Sequence, residues 1–592
     1  MTGSGRQKKY CHREPRVSLD LTRNAPGCVS PLLKRIFENR DISDPGELEY
    51  PLSRLHDPAG LKHGAEAVEI LHVSLQEKHN ILIIGDYDAD GATATALGLL
   101  CLRSFGAGKV DYLVPNRFEY GYGLSEKIAE VAIRRSPDLV ITVDNGISSI
   151  AGVDILRAAG VRVIITDHHL PGPELPRADV ILNPNQPGCP FPSKALSGVG
   201  VMFYLLVLFR AKLNAAGWFQ NRQVPVPNLA EYLDLVALGT VADLVPLDYN
   251  NRILVARGLA RIRAGKCRPG MMALLETSGR NFRHLTSRDL GFAVAPRLNA
   301  AGRMEDISTG IECLVSESID VAREFSRTLE TINRNRQKVQ STMQADAMRI
   351  VAAVLEDRSG KRAAAAATNL GFCLVHPDWH QGITGLVASR IREKTDEPTI
   401  VFAASGRGRL SGSARSVGGL HIRDLLENIA SENPGLIEKF GGHAMAAGLT
   451  IHGDDFDSFE QAFHQHVNRF FNAADDFATV YLDGCLAEEE ITLENAEDIR
   501  MAAPWGQGFP APLFEGTFDV LDSRIVGEQH LRLALQSVPM NREFEAIAFR
   551  VIDPGEEAPA LKRIHAVYEL DVNEFRGKRR LQLIISHYSP AH

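Results

Sequence analysis

The chain has 592 residues, and 65 lysines and arginines against 73 aspartates and glutamates leave a formal net charge of −8. With 44% hydrophobic and 23% charged residues it has a globular composition, which excludes a disordered, collagenous or fibrous chain. At roughly 150 residues per domain the length predicts about four domains. The mildly acidic total excludes a chain that is basic all over, so a nucleic-acid partner would have to meet a local basic surface.

The eight cysteines form no C-x-x-C pair, which argues against a zinc ribbon or a disulfide scaffold and for reduced thiols. MTGSGRQKKYCHREPR at the N-terminus is polar and basic, with no apolar stretch of a secretory signal after it. The longest apolar run, 201–209, is less than half of the roughly 20 residues a membrane span needs. A soluble cytoplasmic protein with no membrane partner is expected, and nothing points to an obligate oligomer, so a monomer is expected.

In chain order, residues 1–60 carry many Pro, Arg and Asp and no clear period, which predicts a tail or loosely attached cap. From there to 316, apolar β-rich runs (81–84, 139–143, 161–165, 180–182) alternate with stretches of helical period such as 125–135 and 150–159. Continuous apolar strands separated by helices indicate an α/β domain with a parallel sheet covered on both faces, which places ligands at the carboxyl ends of its strands. Residues 317–358 hold neither Gly nor Pro and repeat apolar residues at helical spacing, predicting one helix of roughly 60 Å over about 317–362 that connects domains. A second α/β domain is expected over 363–470. The remainder, 471–592, is rich in short β patterns (518–521, 530–535, 566–570, 581–585) and predicts a small β-barrel.

The segment ILIIGDYDADGATAT sets Asp86, Asp88 and Asp90 straight after a buried strand, where alternate residues face the same way. Three converging carboxylates repel one another unless cations neutralise them. This is not a calcium EF-hand, whose twelfth position requires Glu where Leu97 stands. Two further expected strand ends deliver Asp144 (LVITVDNG) and Asp167, His168 and His169 (VIITDHH), and a fourth, DLVALGTVADLVP, delivers Asp243. One Asp after a strand is a common helix cap and one His a common structural group. Four such ends in one sheet point to a metal site instead. Carboxylates with imidazole and no thiolate suit Mn²⁺ or Mg²⁺, the histidine favouring Mn²⁺, and two such ions would support hydrolysis of a phosphate ester or anhydride.

GDYDADG, VDNG, TDHH and GTVADLVP, in this order, resemble the four motifs of the DHH phosphoesterase superfamily. PRLNAAGR (296–303), WHQGITGLVASR (379–390), GSARS (412–416) and GGHAMAAG (441–448) narrow the resemblance to its bacterial single-strand-specific exonucleases, from about residue 50 to the end. The resemblance implies a DHH catalytic lobe, a connecting helix, a DHH-associated lobe and an oligonucleotide-binding barrel. The implied activity is 5′→3′ exonuclease action on single-stranded DNA in recombination and repair, with two Mn²⁺ or Mg²⁺ ions. Asp88, Asp90, Asp144, His168 and Asp243 would be the metal ligands, Asp144 between the two ions, with Asp86 either a further ligand or an acid behind them. His169 would contact the scissile phosphate or leaving oxygen, or else hold a hydrogen bond behind the ligands, and Asp167 would fix the turn or orient a histidine. Arg297 and Arg303, flanking what reads as a small-residue turn, resemble arginines near the scissile phosphate.

Arg117, in PNRFEYGYG, pairs a cation with aromatics and suits unstacked bases. From 390 to 423 seven Arg or Lys face three acids. There the resemblance assigns Arg390, Ser413, Arg415 and His443 to the terminal phosphate and adjoining backbone, with the Gly-rich segments read as a nest of backbone N–H donors. The barrel's FRGKRR (575–580) would track single-stranded backbone or form a solvated hairpin tip. No Gly-Lys is followed by Ser or Thr, so there is no P-loop motor, and a helicase and a single-strand-binding protein are the expected partners besides single-stranded DNA.

Overall fold

The apolar run at 80–85 becomes strand β1 (Asn80–Gly85) in a computed structural model that describes residues 9–19, 29–116, 120, 123–359, 370–473, 479–527, 529–538, 541–552, 557–575 and 577–591. With β2 (Lys109–Leu113), β3 (Leu139–Val143), β4 (Arg162–Thr166) and β5 (Val180–Leu182) it forms a parallel sheet of order β2-β1-β3-β4-β5. Side chains alternate across this sheet as the strand period requires. Leu82, Ile84, Val140 and Val163 pack on one face with Ile128, Ala129 and Leu156. Ile83 points the other way, towards Gly98 and Met202.

The helices on the two faces account for the continuous burial of the strands. Helix α1 (Ala89–Ser104) follows β1; α2 (Glu126–Arg134) and α3 (Ile150–Ala158) supply the first face; α4 (Gly198–Ala215) and α5 (Leu233–Ala242) pack with α1 on the second. α4 is long and apolar enough to cross a membrane by composition alone, yet 61% of it is buried among these neighbours, as a core helix would be.

α5 corrects one expectation. DLVALGTVADLVP is a helix, with Asp243 at its C-cap, and is not a fourth strand end. Leu233, Leu235, Val236, Ala237 and Leu238 are all buried, and an apolar run buried on all sides has no period that separates strand from helix. PRLNAAGR is likewise no turn: it lies on α6 (Ala295–Met304), with Pro296 in the first helical turn, where its missing N–H costs nothing.

The described residues divide into two units, one of 12–330 with 481–592, the other of 331–480 with the N-terminal 9–11. The predicted long helix is present as α7 (Ile319–Ser359), 41 residues whose positions are shared between the units. In the smaller unit α8 (Thr384–Thr395) packs on a sheet of β6 (Phe372–Val375), β7 (Thr399–Ala404), β8 (Arg409–Arg415), β9 (Lys439–Gly442) and β10 (Ala446–His452), in the order β9-β10-β8-β7-β6.

In the larger unit β11 (Phe514–Val526), β12 (His530–Ser537), β13 (Glu543–Ala548), β14 (Arg563–Phe575) and β15 (Lys578–Pro590) close into a barrel, β11-β12-β13-β15-β14. Its core takes in Leu32 and Ile36 of a short helix, Pro31–Glu38. Arg40 nearby pairs with Asp483 at 2.8 Å, both side chains nearly fully buried. Residues 31–40 are therefore built into the barrel domain and do not form a loose tail.

Candidate metal centre

The acidic loop leaves β1 and is fixed on three sides. Asp88 caps α1, its Oδ1 accepting from the backbone N–H of Asp90 (2.9 Å) and Gly91 (3.1 Å). Asp90, in the first turn of α1, accepts from the N–H of Gly198 (2.6 Å) and Val199 (3.0 Å), the first residues of α4, so the positive end of that helix faces a carboxylate. From the third side, Asn299 on α6 accepts the Ala89 N–H at 2.8 Å.

Small residues make this closeness possible. A Cβ on Gly302 of α6 would overlap the Tyr87 carbonyl oxygen, one on Gly239 of α5 would lie 2.6 Å from Asp90 Oδ1, and one on Gly198 would lie 2.5 Å from Asp144 Cβ.

At the end of β3, Asp144 adopts φ 62°, a left-handed conformation that is costly for a non-glycine residue. Its neighbour Asn145 donates Nδ2 to the carbonyls of Ile84 (3.0 Å) and Val143 (2.9 Å), tying β1 to β3. At the end of β4, Asp167 spends both oxygens on the turn: Oδ1 accepts from the N–H of His168 and His169 and lies 2.7 Å from His169 Nδ1, while Oδ2 accepts from the Ile147 N–H. Asn183 and Asn185 donate to the carbonyls of His169 (2.9 Å) and His168 (2.6 Å).

His168 Nε2 lies 3.1 Å from Asp144 Oδ1 and 3.3 Å from Asp243 Oδ2. Three overlapping sets, Asp86/Asp88/Asp144, Asp90/His168/Asp243 and Asp144/His168/His169, each bring ligand atoms within 4.8 Å of one another. The strand ends of β1, β3 and β4 and the helix end of α5 thus converge on one cluster.

Five carboxylates in so small a space are electrostatically costly. Burial, and after it the Asp88 charge, pushes the Asp90 carboxyl up to about 7. Burial and then the neighbouring aspartates hold Asp144 and Asp243 well above the ordinary carboxylate range. Asp167 goes the opposite way: burial alone would raise it, but the hydrogen bond and charge of His169 bring it to about 2. His169 is pushed up to about 9, burial being outweighed by Asp167. Carboxylate oxygens with one or two imidazole nitrogens suit a hard or borderline divalent cation, which would relieve the repulsion.

The arginines are placed differently from one another. Arg297 donates to the Ala293 carbonyl and pairs with Glu330 at 2.7 Å, its side chain only 13% exposed. Arg303 lies in the last turn of α6, next to Gly302, which faces the Tyr87 carbonyl of the acidic loop. Arg117 lies outside the described residues.

In the smaller unit, Ser413 and Arg415 stand two apart on β8 and therefore on one face. Ser413 Oγ is 2.9 Å from Thr384 Oγ1, and Arg415 Nε donates to Ser389 Oγ at 3.1 Å. Burial and the neighbouring Arg392 charge lower the Arg415 pKa. GSARS is not a nest: β8 pairs with both β7 and β10, and its backbone donors serve the ladders. Arg390 pairs with Glu393 at 2.6 Å, and His443 sits in the turn between β9 and β10, its N–H donating to Ala446. At the barrel tip, Arg579 and Arg580 lie against Glu497 (2.8 Å) and Glu545 (3.7 Å).

Several contributors carry no motif signal as residue types: Asn299, Gly239, the Gly198–Val199 amides, Asn183 and Asn185. The available hint was Asn and Gly within segments already marked by Asp or Arg.

Comparison with known proteins agrees with this geometry. The DHH family, N-terminal domain, matches residues 80–240, the DHHA1 domain 363–469 and the RecJ OB domain 482–587. The single-stranded-DNA-specific exonuclease RecJ of Dickeya dadantii (strain 3937) is 48% identical over 578 residues, 98% of this chain and 98% of its own length. Its counterpart in Escherichia coli (strain K12) is 46% identical over 575 residues, 97% of this chain and 98% of its own. The crystal structure of RecJ in complex with Mn²⁺ from Thermus thermophilus superposes with a TM-score of 0.74 at 28% identity, covering 95% of this chain and 76% of that one. The similarity extends into the first 50 residues, which the motifs do not reach.

Proposed function

The chain belongs to the RecJ family of single-stranded-DNA-specific exonucleases, and from that membership we propose how its residues divide the work. It is a metal-dependent exonuclease on single-stranded DNA, of the DHH superfamily, acting in DNA recombination and repair. The proposal adds 5′→3′ polarity, a cytoplasmic monomer, and a helicase and a single-strand-binding protein as partners that supply and present the strand. Residues 61–316 are the catalytic domain, 317–362 the connecting helix, 363–470 the phosphate-gripping domain and 471–592 the strand-binding barrel.

The observation that carries the reading is His168 lying between Asp144 and Asp243 within a five-carboxylate cluster. Asp88, Asp90, Asp144, His168 and Asp243 hold the ions, with Asp86 beside them. Held by these residues, Mn²⁺ or Mg²⁺ would supply a more acidic water and neutralise charge on the phosphoryl oxygens.

The chain's own residues do the rest. Asp167 fixes the His169 ring through Nδ1, which leaves Nε2 to face the scissile phosphate or leaving oxygen. Asn299 and the α4 amides hold Asp88 and Asp90 in place. Arg303 approaches the scissile phosphate, whereas Arg297, committed to Glu330, positions α6. Arg390, Ser413, Arg415 and His443 grip the terminal phosphate and adjoining backbone, and Arg117 contacts bases. Digestion of single- and double-stranded oligonucleotides, labelled at either end, tests this. Loss of a 5′ label as mononucleotide from single strands alone supports it; release from the 3′ end removes the polarity.

A further inference from the structure

Among the described residues, the three most exposed large hydrophobic side chains are Phe292 at 78%, Leu244 at 69% and Leu170 at 63%. Two of them directly follow residues of the cluster, and the third lies on a turn that packs against α5, the helix that ends at Asp243. Leu170 follows His169 directly. Leu244 follows Asp243, whose carboxylate is 3.3 Å from His168, and it is held at φ 57°, a conformation that side-chain-bearing residues rarely adopt. Phe292 lies on a single π-helical turn, Leu290–Val294, that packs on α5, a Cβ on Gly291 standing 3.3 Å from Val241, two residues before Asp243. Leu290, Ala293 and Val294 of that turn are buried, so they already provide its packing and Phe292 adds none. One-turn π-helices recur at functional sites.

Scattered exposed apolar residues need no explanation, but three extremes among the described residues, all on segments that adjoin or pack against the cluster's own elements, do. A ligand that brings phosphates to the aspartates brings apolar surface with it: the faces of its bases. Those faces are available in an unpaired strand and are already covered by stacking in a duplex. We infer that Phe292, Leu244 and Leu170 form a base-contacting rim around the metal centre, Phe292 stacking on a base near the scissile phosphate, and that this rim contributes to the selection of unpaired nucleotides. The inference deepens the exonuclease reading and rests on it. Stacking on an aromatic face tolerates any base, as an enzyme that digests strands without regard to sequence requires.

The test compares kcat/KM on a single-stranded oligonucleotide and on the same oligonucleotide made abasic at the two outermost positions of each end. The wild-type protein is expected to lose about tenfold on the abasic substrate, within the range of one stacked base. Phe292→Ala should lose about as much on the base-bearing substrate, chiefly through KM, and bring the ratio of the two close to one. Phe292→Trp should restore the ratio. A wild type that degrades both substrates equally would overturn the inference without reference to any variant, as would a Phe292→Ala protein that keeps the wild-type ratio. Failure of the wild type to hydrolyse either substrate with Mn²⁺ would overturn the exonuclease reading and the rim with it.

Discussion

Replacing Asn299 with Ala removes one hydrogen-bond acceptor from the metal centre's support and touches no proposed ligand. Ala89 is 1% exposed, and its N–H donates to Asn299 Oδ1 at 2.8 Å. Without that acceptor the donor stays buried and unsatisfied, which costs about 1–3 kcal/mol. The loop can escape only by moving towards water, and Ala89 lies between Asp88 and Asp90, so movement displaces both carboxylates. If the whole cost falls on the metal-bound state, Mn²⁺ affinity drops roughly five- to 150-fold. Asn299→Asp keeps an acceptor oxygen at the same position and should recover part of the loss. Calorimetric Mn²⁺ titration, with thermal unfolding in EDTA alongside, reads both halves of the cost. An Asn299→Ala protein with wild-type Mn²⁺ affinity and wild-type unfolding temperature would refute the reasoning.

Two other predictions follow from the same cluster. In the metal-free protein the folded state keeps protons on Asp90, whose pKa rises to about 7, and on Asp144 and Asp243, also raised, while the unfolded chain releases them near pH 4. The folded state therefore binds more protons in that window, and stability must fall as pH rises through it. Thermal unfolding in EDTA should show a lower midpoint at pH 8 than at pH 5, with Mn²⁺ raising it more at pH 8; stabilisation by Mn²⁺ that is the same at both would contradict this. Gly302→Ala, at the one glycine of α6, should be damaging, since its Cβ would overlap the Tyr87 carbonyl oxygen. Loss of more than about 1 kcal/mol in stability, or of Mn²⁺ binding, is expected in a denaturant titration, and a silent substitution would show that α6 does not press on the loop.

The parts of the fold that could be read in the sequence were those whose physics is local. Residues 81–84, 139–143, 161–165 and 180–182 are apolar but for Thr142 and Arg162 because both faces of a parallel sheet are covered, and that signal survives without coordinates. α7 was legible because no Gly or Pro interrupts its period. β2 and β13, whose burial is alternating and partial, were too weak to find. Asp243 reaches the cluster from a helix end and not from the expected strand end, because α5 is buried all round and its sequence carries no period. GSARS looked like a loop from its Gly and Ser, and only its two ladders show it to be an interior strand.

In the candidate site, the chemistry-bearing residues were visible as strand-end motifs, while their supports were not. Asn299 meets Ala89 across 210 residues, and Gly198 meets Asp90 across 108. No local pattern encodes such a meeting. The ion pair of Arg297 with Glu330 spans 33 residues and is likewise absent from any local pattern.

The central claim is that the carboxylate and imidazole cluster is the hydrolytic centre for single-stranded DNA. Its most direct test is hydrolysis of an end-labelled single-stranded oligonucleotide by wild type and Asp144→Asn at equal concentration with Mn²⁺, both first shown to be folded by circular dichroism. The account predicts mononucleotide release by the wild type and none above background by Asp144→Asn. Comparable release by the two proteins would contradict it.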